Sequence, residues 1–213
     1  MQTQEQIVYQ GQFGTFTLDD HDRQGVIVYR TGLAIAALSF AIAAGFAFLQ
    51  NYAWITPLYF IFWAALGVSL FTIHIYLKPL HLALQAFWAI GGIASIALLF
   101  MSSEPLGLYV YQHPIWIFGV GFTFAALTGI FFKEAVCFNR FETKLLTPIV
   151  PLLLLGHLTG WLPTSWEQAL LGGWAVLFVI FAMRKSIQSI PPDIGDKSVF
   201  EYLKTQSEKR ESN

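Results

Sequence analysis

The sequence predicts an all-α integral membrane protein, a six-helix transmembrane bundle with both termini cytoplasmic. Three observations carry this: six apolar stretches of membrane-crossing length, a composition too apolar for a soluble domain, and a one-sided distribution of basic residues. The stretches are residues 31–49, 53–77, 82–101, 114–132, 145–162 and 166–183, each close to the roughly 20 residues that cross a bilayer as a helix. Of the 213 residues, 55% are hydrophobic and only 12% charged, which leaves no soluble domain beside six spans. The twelve Lys and Arg residues all fall on one side. Arg23 and Arg30 precede the first span, Lys78 lies between the second and third, and Lys133, Arg140 and Lys144 lie between the fourth and fifth. Arg184, Lys185, Lys197, Lys204, Lys209 and Arg210 follow the sixth. The opposite edges carry only Glu104 and Glu167, so the positive-inside rule places both termini in the cytoplasm.

Three regions follow: a cytoplasmic N-terminal segment 1–30, a six-span transmembrane domain 31–183, and a cytoplasmic tail 184–213 expected to be disordered beyond Lys204. In the first, residues 7–9 and 13–18 read as extended and are punctuated by Gly11 and Gly14, which suggests a ribbon on the membrane face. Thr17 with Asp20 resembles a cap opening a helix over 19–30. The first apolar stretch follows acidic residues Glu5, Asp19, Asp20 and Asp22 rather than a basic leader, so it is expected to be retained.

Aromatic anchors mark the edges of the spans. Tyr52, Trp54, Tyr109, Tyr111, Trp116, Trp161 and Trp166 cluster near the outer interface, with Tyr29 and Tyr76 near the inner one. Small residues recur at four-residue spacing: Ala37, Ala41 and Gly45 in the first span, Gly121, Ala125 and Gly129 in the fourth, Gly156 and Gly160 in the fifth, Ala169 and Gly173 in the sixth. These stripes suit close helix packing within one chain, or a dimer seam. Pro148 and Pro151 fall in the first half of the fifth span, where Pro151 can kink it.

Composition also excludes functions. One cysteine, Cys137, rules out an internal disulfide, a Cys-x-x-Cys pair and a four-thiolate metal site from this chain alone. Neither the metallopeptidase, the nucleophile-elbow nor the phosphate-loop motif occurs. The charge asymmetry sets topology and contact with the lipid bilayer, not nucleic-acid binding. Apart from Glu167 at the outer edge of the sixth, no span contains Asp, Glu, Lys or Arg, which speaks against a pump or ion-coupled transporter.

The candidate sites are few. His74 and His81 flank the short turn at Lys78 and Pro79, a placement able to ligate haem with two imidazoles or a chlorophyll magnesium with one. Interfacial histidines also serve as plain hydrogen-bonding residues. His157, between Gly156 and Gly160, lies near the other face; the glycines leave room for a flat ring and equally fit close packing. The densest polar cluster spans 133–144, where Lys133, Glu134, Cys137, Asn139, Arg140 and Glu142 form a candidate surface for membrane-protein partners. The same charges are explained by a loop that orients its hairpin. Asp20-His21-Asp22 offers donors for a metal but no second cluster, so no metal site is assigned.

The chain resembles a family of uncharacterised integral membrane proteins of cyanobacteria and plastid-bearing organisms. The likeness is carried by Gln12-Phe13-Gly14, by DDHDRQGVIVYRTGLAIAALSFAIAAG over 19–45, and by the 129–160 region containing GIFFKEAVCFNRFETKLLTP. It implies a plasma or thylakoid membrane with the basic side cytoplasmic, and brings no catalytic residues. The leading expectation is a non-enzymatic auxiliary or assembly component of a membrane complex. The alternatives are a carrier or channel for a neutral small molecule, and a haem- or chlorophyll-binding protein.

Overall fold

The computed structural model describes residues 8–75, 77–199, 202, 204 and 205. Tyr76, and the tail from 206 onward where disorder is expected, lie outside the described residues. A two-stranded antiparallel ribbon, β1 (Val8–Gln10) and β2 (Thr15–Thr17), pairs Tyr9 with Phe16. It is followed by α1 (Asp20–Phe48), α2 (Ile55–Thr72), α3 (Lys78–Met101), the short α4 (Leu106–Gln112), α5 (Ile117–Phe138), α6 (Phe141–Leu158), α7 (Thr164–Ser186) and α8 (Pro191–Ile194). Six of these helices, two of them with a preceding 3-10 turn, are long and apolar enough to cross a membrane. They pack in a closed ring in the order α1, α2, α3, α5, α6, α7, with α7 returning to α1.

Most helix ends at the basic pole differ from the predicted spans, for one reason. Hydropathy stops at the first charge, whereas a helix continues as long as its charges find partners. Residues 20–30 are not a separate cap helix but the first three turns of α1, and the capping box is Asp19 with Asp22 rather than Thr17 with Asp20. The expected loop over 133–144 shrinks to a two-residue link, because α5 runs on to Phe138 and α6 begins at Phe141. Asn139 makes the turn in the left-handed region at φ 52°, which Asn tolerates better than most residues. In the other direction, α2 ends five residues early, where Ile73 adopts extended backbone and Ile73 and Ile75 tuck into the core.

Those extended ends converge on a buried charge. Lys185, in the last turn of α7, has no exposed surface and contacts Glu134 of α5 at 2.6 Å and Asp193 of α8. Arg30 of α1 bonds Asp193 at 2.8 Å and donates to the Gln188 and Ser189 carbonyls. Lys133 completes Glu134 at 3.0 Å. Tyr29, expected at the interface, is instead buried and donates to the same carboxylate. Beside this group, Glu142 pairs with Arg184 at 2.7 Å and with Arg140. The ribbon closes over the pole through the Gln12 and Phe13 amides, which donate to Asp196 and Ser198, while Lys197 pairs with Asp22 in the first turn of α1. Leu18, Val26 and Ile194 form a small second core there.

Within the ring, close approach occurs at glycines other than most of the striped ones. Trp63 of α2 and Trp88 of α3 stack with centroids 4.5 Å apart, and each indole N–H donates to the other's backbone carbonyl at 3.0 and 2.8 Å. Each ring occupies the space above a glycine of the facing helix, Gly92 under Trp63 and Gly67 under Trp88. Gly32 sits equally tightly on Ser69 and the Ala65 carbonyl. Of the striped positions Gly129 receives Leu84, whereas Gly45 and Gly173 face open space. A small residue permits approach, but the side chain opposite decides whether approach occurs.

Two outcomes are expected. Gly67→Ala puts a methyl about 2.5 Å from the Trp88 ring, so thermal unfolding in mild detergent should show a loss of about 1–3 kcal/mol. Replacing both acids around Lys185, as Glu134→Gln with Asp193→Asn, should cost about 3–5 kcal/mol by stranding the ammonium. Adding Lys185→Met to that pair should recover most of the loss; a further loss would show that the lysine does not depend on those carboxylates.

Candidate functional site: an intramembrane cavity with a His157–Glu167–Tyr111 mouth

The half of the bundle away from the ion pairs is hollow. α1, α2, α5, α6 and α7 wall a cavity of about 490 Å³, with α4 across its outer end, a size within the roughly 300–1,000 Å³ of ligand sites. The space exists because α1 presents Ala43, Ala44 and Ala47 to it. Its deep end is aromatic: Phe40, Tyr59, Phe62 and Phe124 pack on one another, with Phe62 and Phe124 stacked at 5.7 Å. The Tyr59 hydroxyl is occupied by Ser95 at 2.7 Å and Thr123 at 3.0 Å, which satisfies its polar atom. Leu58, Val120 and Leu154 continue the apolar lining, and among the lining residues there is no Lys or Arg.

Polar groups gather at the outer end. α6 stops there by a Schellman motif: Gly160 takes φ 65°, Trp161 N–H bonds the Gly156 carbonyl at 3.1 Å, and Gly160 N–H bonds the His157 carbonyl at 3.0 Å. Gly160 is therefore a helix stop, not the packing residue the stripe suggested. The reversal brings the first turn of α7 back beside the end of α6, so that Glu167 Oε1 lies 2.6 Å from His157 Nδ1. Tyr111 of α4 stacks on the imidazole, donates its hydroxyl to Glu167 Oε2 at 3.1 Å, and accepts from His157 Nε2 at its backbone carbonyl at 2.9 Å.

This geometry sets the protons. A carbonyl oxygen only accepts, so His157 Nε2 carries a hydrogen. The short Nδ1–Oε1 contact then holds one further proton between imidazole and carboxyl, and the pair is net neutral whichever atom bears it. Burial, and next the bond to Glu167, hold the Tyr111 phenol above its ordinary value of 10.0. Tyr111 stays protonated, and a donor, throughout the neutral range.

The other sequence candidates lie at the opposite pole. His81 donates Nε2 to the Leu70 carbonyl at 2.5 Å and has Gln85 beside it, while His74 rests against Gly25. The structure records no bond between His74 and His81, and His157 is not brought near either. Both nitrogens of His157 are engaged, so it presents no open lone pair to a metal. Among the described residues no three His, Cys, Asp or Glu side chains gather as a metal site. Of the polar cluster 133–142, Glu134 and Glu142 are buried in ion pairs, Lys133 and Arg140 serve those pairs, Asn139 makes the turn, and Cys137 is exposed. Sequence reasoning singled out His157 but not Glu167 or Tyr111, which read as outer-edge residues; their only signal is membership of the polar rim of the fifth and sixth spans.

The family described as "Uncharacterized integral membrane protein (DUF2301)" matches residues 68–202, more than half of the chain. The chain belongs to that family of integral membrane proteins. The match begins inside α2 and runs through α8, so it takes in Tyr111, His157 and Glu167 as well as Glu134, Lys185 and Asp193. No curated protein and no solved structure matches the chain.

His74, in the turn between α2 and α3, supplies a pH dependence. Burial is the main cause that holds its imidazole below the ordinary value of 6.5. The unfolded chain therefore binds the proton first, and stability falls as pH drops below about 6.5 and stops falling once the folded-state imidazole is also protonated. His74→Gln should flatten the decline of thermal stability between pH 7 and 5; an unchanged slope would assign the acid sensitivity elsewhere.

Proposed function

We propose that the protein holds a small, neutral, largely apolar molecule inside the membrane, as a binding protein or carrier. The observation that carries this is the 490 Å³ cavity, apolar at depth and polar only at its mouth. An apolar chamber with a few converging polar groups is the usual form of a small-molecule site. The absence of Lys and Arg from its lining suits an uncharged occupant rather than an anionic lipid. Docking of membrane-protein partners through residues 133–144 draws less support, because the carboxylates of that segment point inward to Lys185 and Arg184. The engaged nitrogens of His157 likewise weigh against haem or chlorophyll at that residue.

The basic pole is read as cytoplasmic: the ten described Lys and Arg residues all lie there. The cavity mouth then faces the other side. The resemblance to cyanobacterial and plastid proteins favours a plasma or thylakoid membrane.

Ala44→Phe fills the cavity at a wall residue. Protein purified from native membranes in mild detergent and extracted for mass spectrometry should carry a lipophilic molecule near stoichiometry, reduced about tenfold or more in the variant, with thermal stability retained. Equal recovery from both proteins would overturn the reading.

A further inference from the structure

The cluster at the cavity mouth has used up its own hydrogen-bond donors, and this defines the chemistry of the occupant. His157 Nε2–H is spent on the Tyr111 carbonyl, the Nδ1 proton on Glu167, and the Tyr111 O–H on Glu167 Oε2. What remains open is lone pairs. A carboxylate has about four acceptor sites on its two oxygens, and the structure fills one on each oxygen. Glu167 and His157 both line the cavity and keep 11% and 17% of their side-chain surface open. The other polar side chains of the lining, Gln50, Tyr52, Thr164 and Gln168, sit at its outer edge, and all but the half-buried Tyr52 are exposed, so water and headgroups compete for them.

From this we infer that Glu167 is the specificity determinant of the cavity, and that the occupant is a neutral lipophile ending in an O–H or N–H donor, such as a long-chain or isoprenoid alcohol. The inference rests on the binding reading above. An ether, ester or ketone of the same shape brings only acceptors to a His157–Glu167–Tyr111 cluster whose donors are already engaged, and its oxygen would be desolvated there without a partner. A cationic amine would add an uncompensated charge to a pair already neutral. The aromatic end takes the hydrocarbon, and the ring of Tyr111, stacked on the imidazole, holds His157 and with it the Glu167 carboxyl in place.

The test uses the full-length protein in lipid nanodiscs with two matched probes, hexadecanol and its methyl ether, and reads binding by tryptophan fluorescence and by native mass spectrometry. Wild type should bind the alcohol about tenfold or more tightly than the ether, the difference made by one hydrogen bond to the Glu167 carboxyl. Glu167→Gln halves the acceptors and introduces N–H donors, so the two probes should approach parity, with undiminished ether binding serving as the control for folding. Tyr111→Phe frees a lone pair on Glu167 and should retain or widen the preference for the alcohol.

Alcohol and ether bound equally by wild type, both displaced by Ala44→Phe, would overturn donor selection and leave the binding reading standing. A preference for the alcohol that persists unchanged in Glu167→Gln would overturn the assignment to that residue. Binding of neither probe, or binding indifferent to Ala44→Phe, would overturn both readings.

Discussion

An ammonium group with no exposed surface must be matched by carboxylates wherever the chain can bring them, and Lys185 imposes that requirement on this fold. An unmatched charge in so apolar a setting costs several kcal/mol, so the elements around Lys185 are arranged by it. α5 must run six residues past Lys133 to the link at Asn139, with Glu134 turned inward. The chain after α7 must double back so that Asp193 reaches both Lys185 and Arg30. That return lays α8 against α1 and gives the N-terminal ribbon a surface to close on, through Asp196 and Ser198. The Lys185 ammonium also lies 4.0 Å from the Phe138 ring centroid, a cation–π contact that holds the end of α5 in place.

With one pole locked by ion pairs and the middle of the ring filled by Phe131, Phe178 and Phe181, the remaining freedom is at the other pole. There the longest connection, between α3 and α5, carries α4 across the opening. Alanines on α1 leave the space, and α4 spans it without filling it. The contrast between a charged, tightly bonded end and a hollow, nearly neutral end gives the molecule its polarity of function: the first fixes the helices relative to one another, and the second offers volume. The polar layer of Tyr59, Ser95 and Thr123 lies between them and ties α2, α3 and α5 at mid-depth without admitting charge.

Much of this was legible in the sequence. Six apolar runs, their number and order, and the accumulation of basic residues at one end follow from hydropathy and charge alone, and the ribbon follows from extended runs at 7–9 and 13–18 punctuated by Gly11 and Gly14. His157 was visible as a polar residue near a span end. Its partners were not, because Glu167 is ten residues away across a turn whose geometry depends on Gly160 at positive φ, and Tyr111 belongs to a seven-residue helix too short to show a period. The charged cluster 133–142 was visible too, but not its direction. A run of Lys, Glu and Arg reads the same whether it faces water or another helix, and only the presence of Lys185, Arg184 and Asp193 opposite turns it inward.

By itself, the sequence determined that this is a six-helix integral membrane protein with its basic residues gathered at a single pole, because transfer of apolar side chains from water and the cost of burying charge act on each residue locally. Tertiary structure alone decided which charges are buried, which glycines admit a neighbouring ring, and that a cavity opens beneath His157. Those depend on what stands opposite each residue across the bundle, and facing partners such as Trp63 with Gly92, or His157 with Tyr111, are chosen by helix packing and turn geometry rather than by any periodicity along the chain.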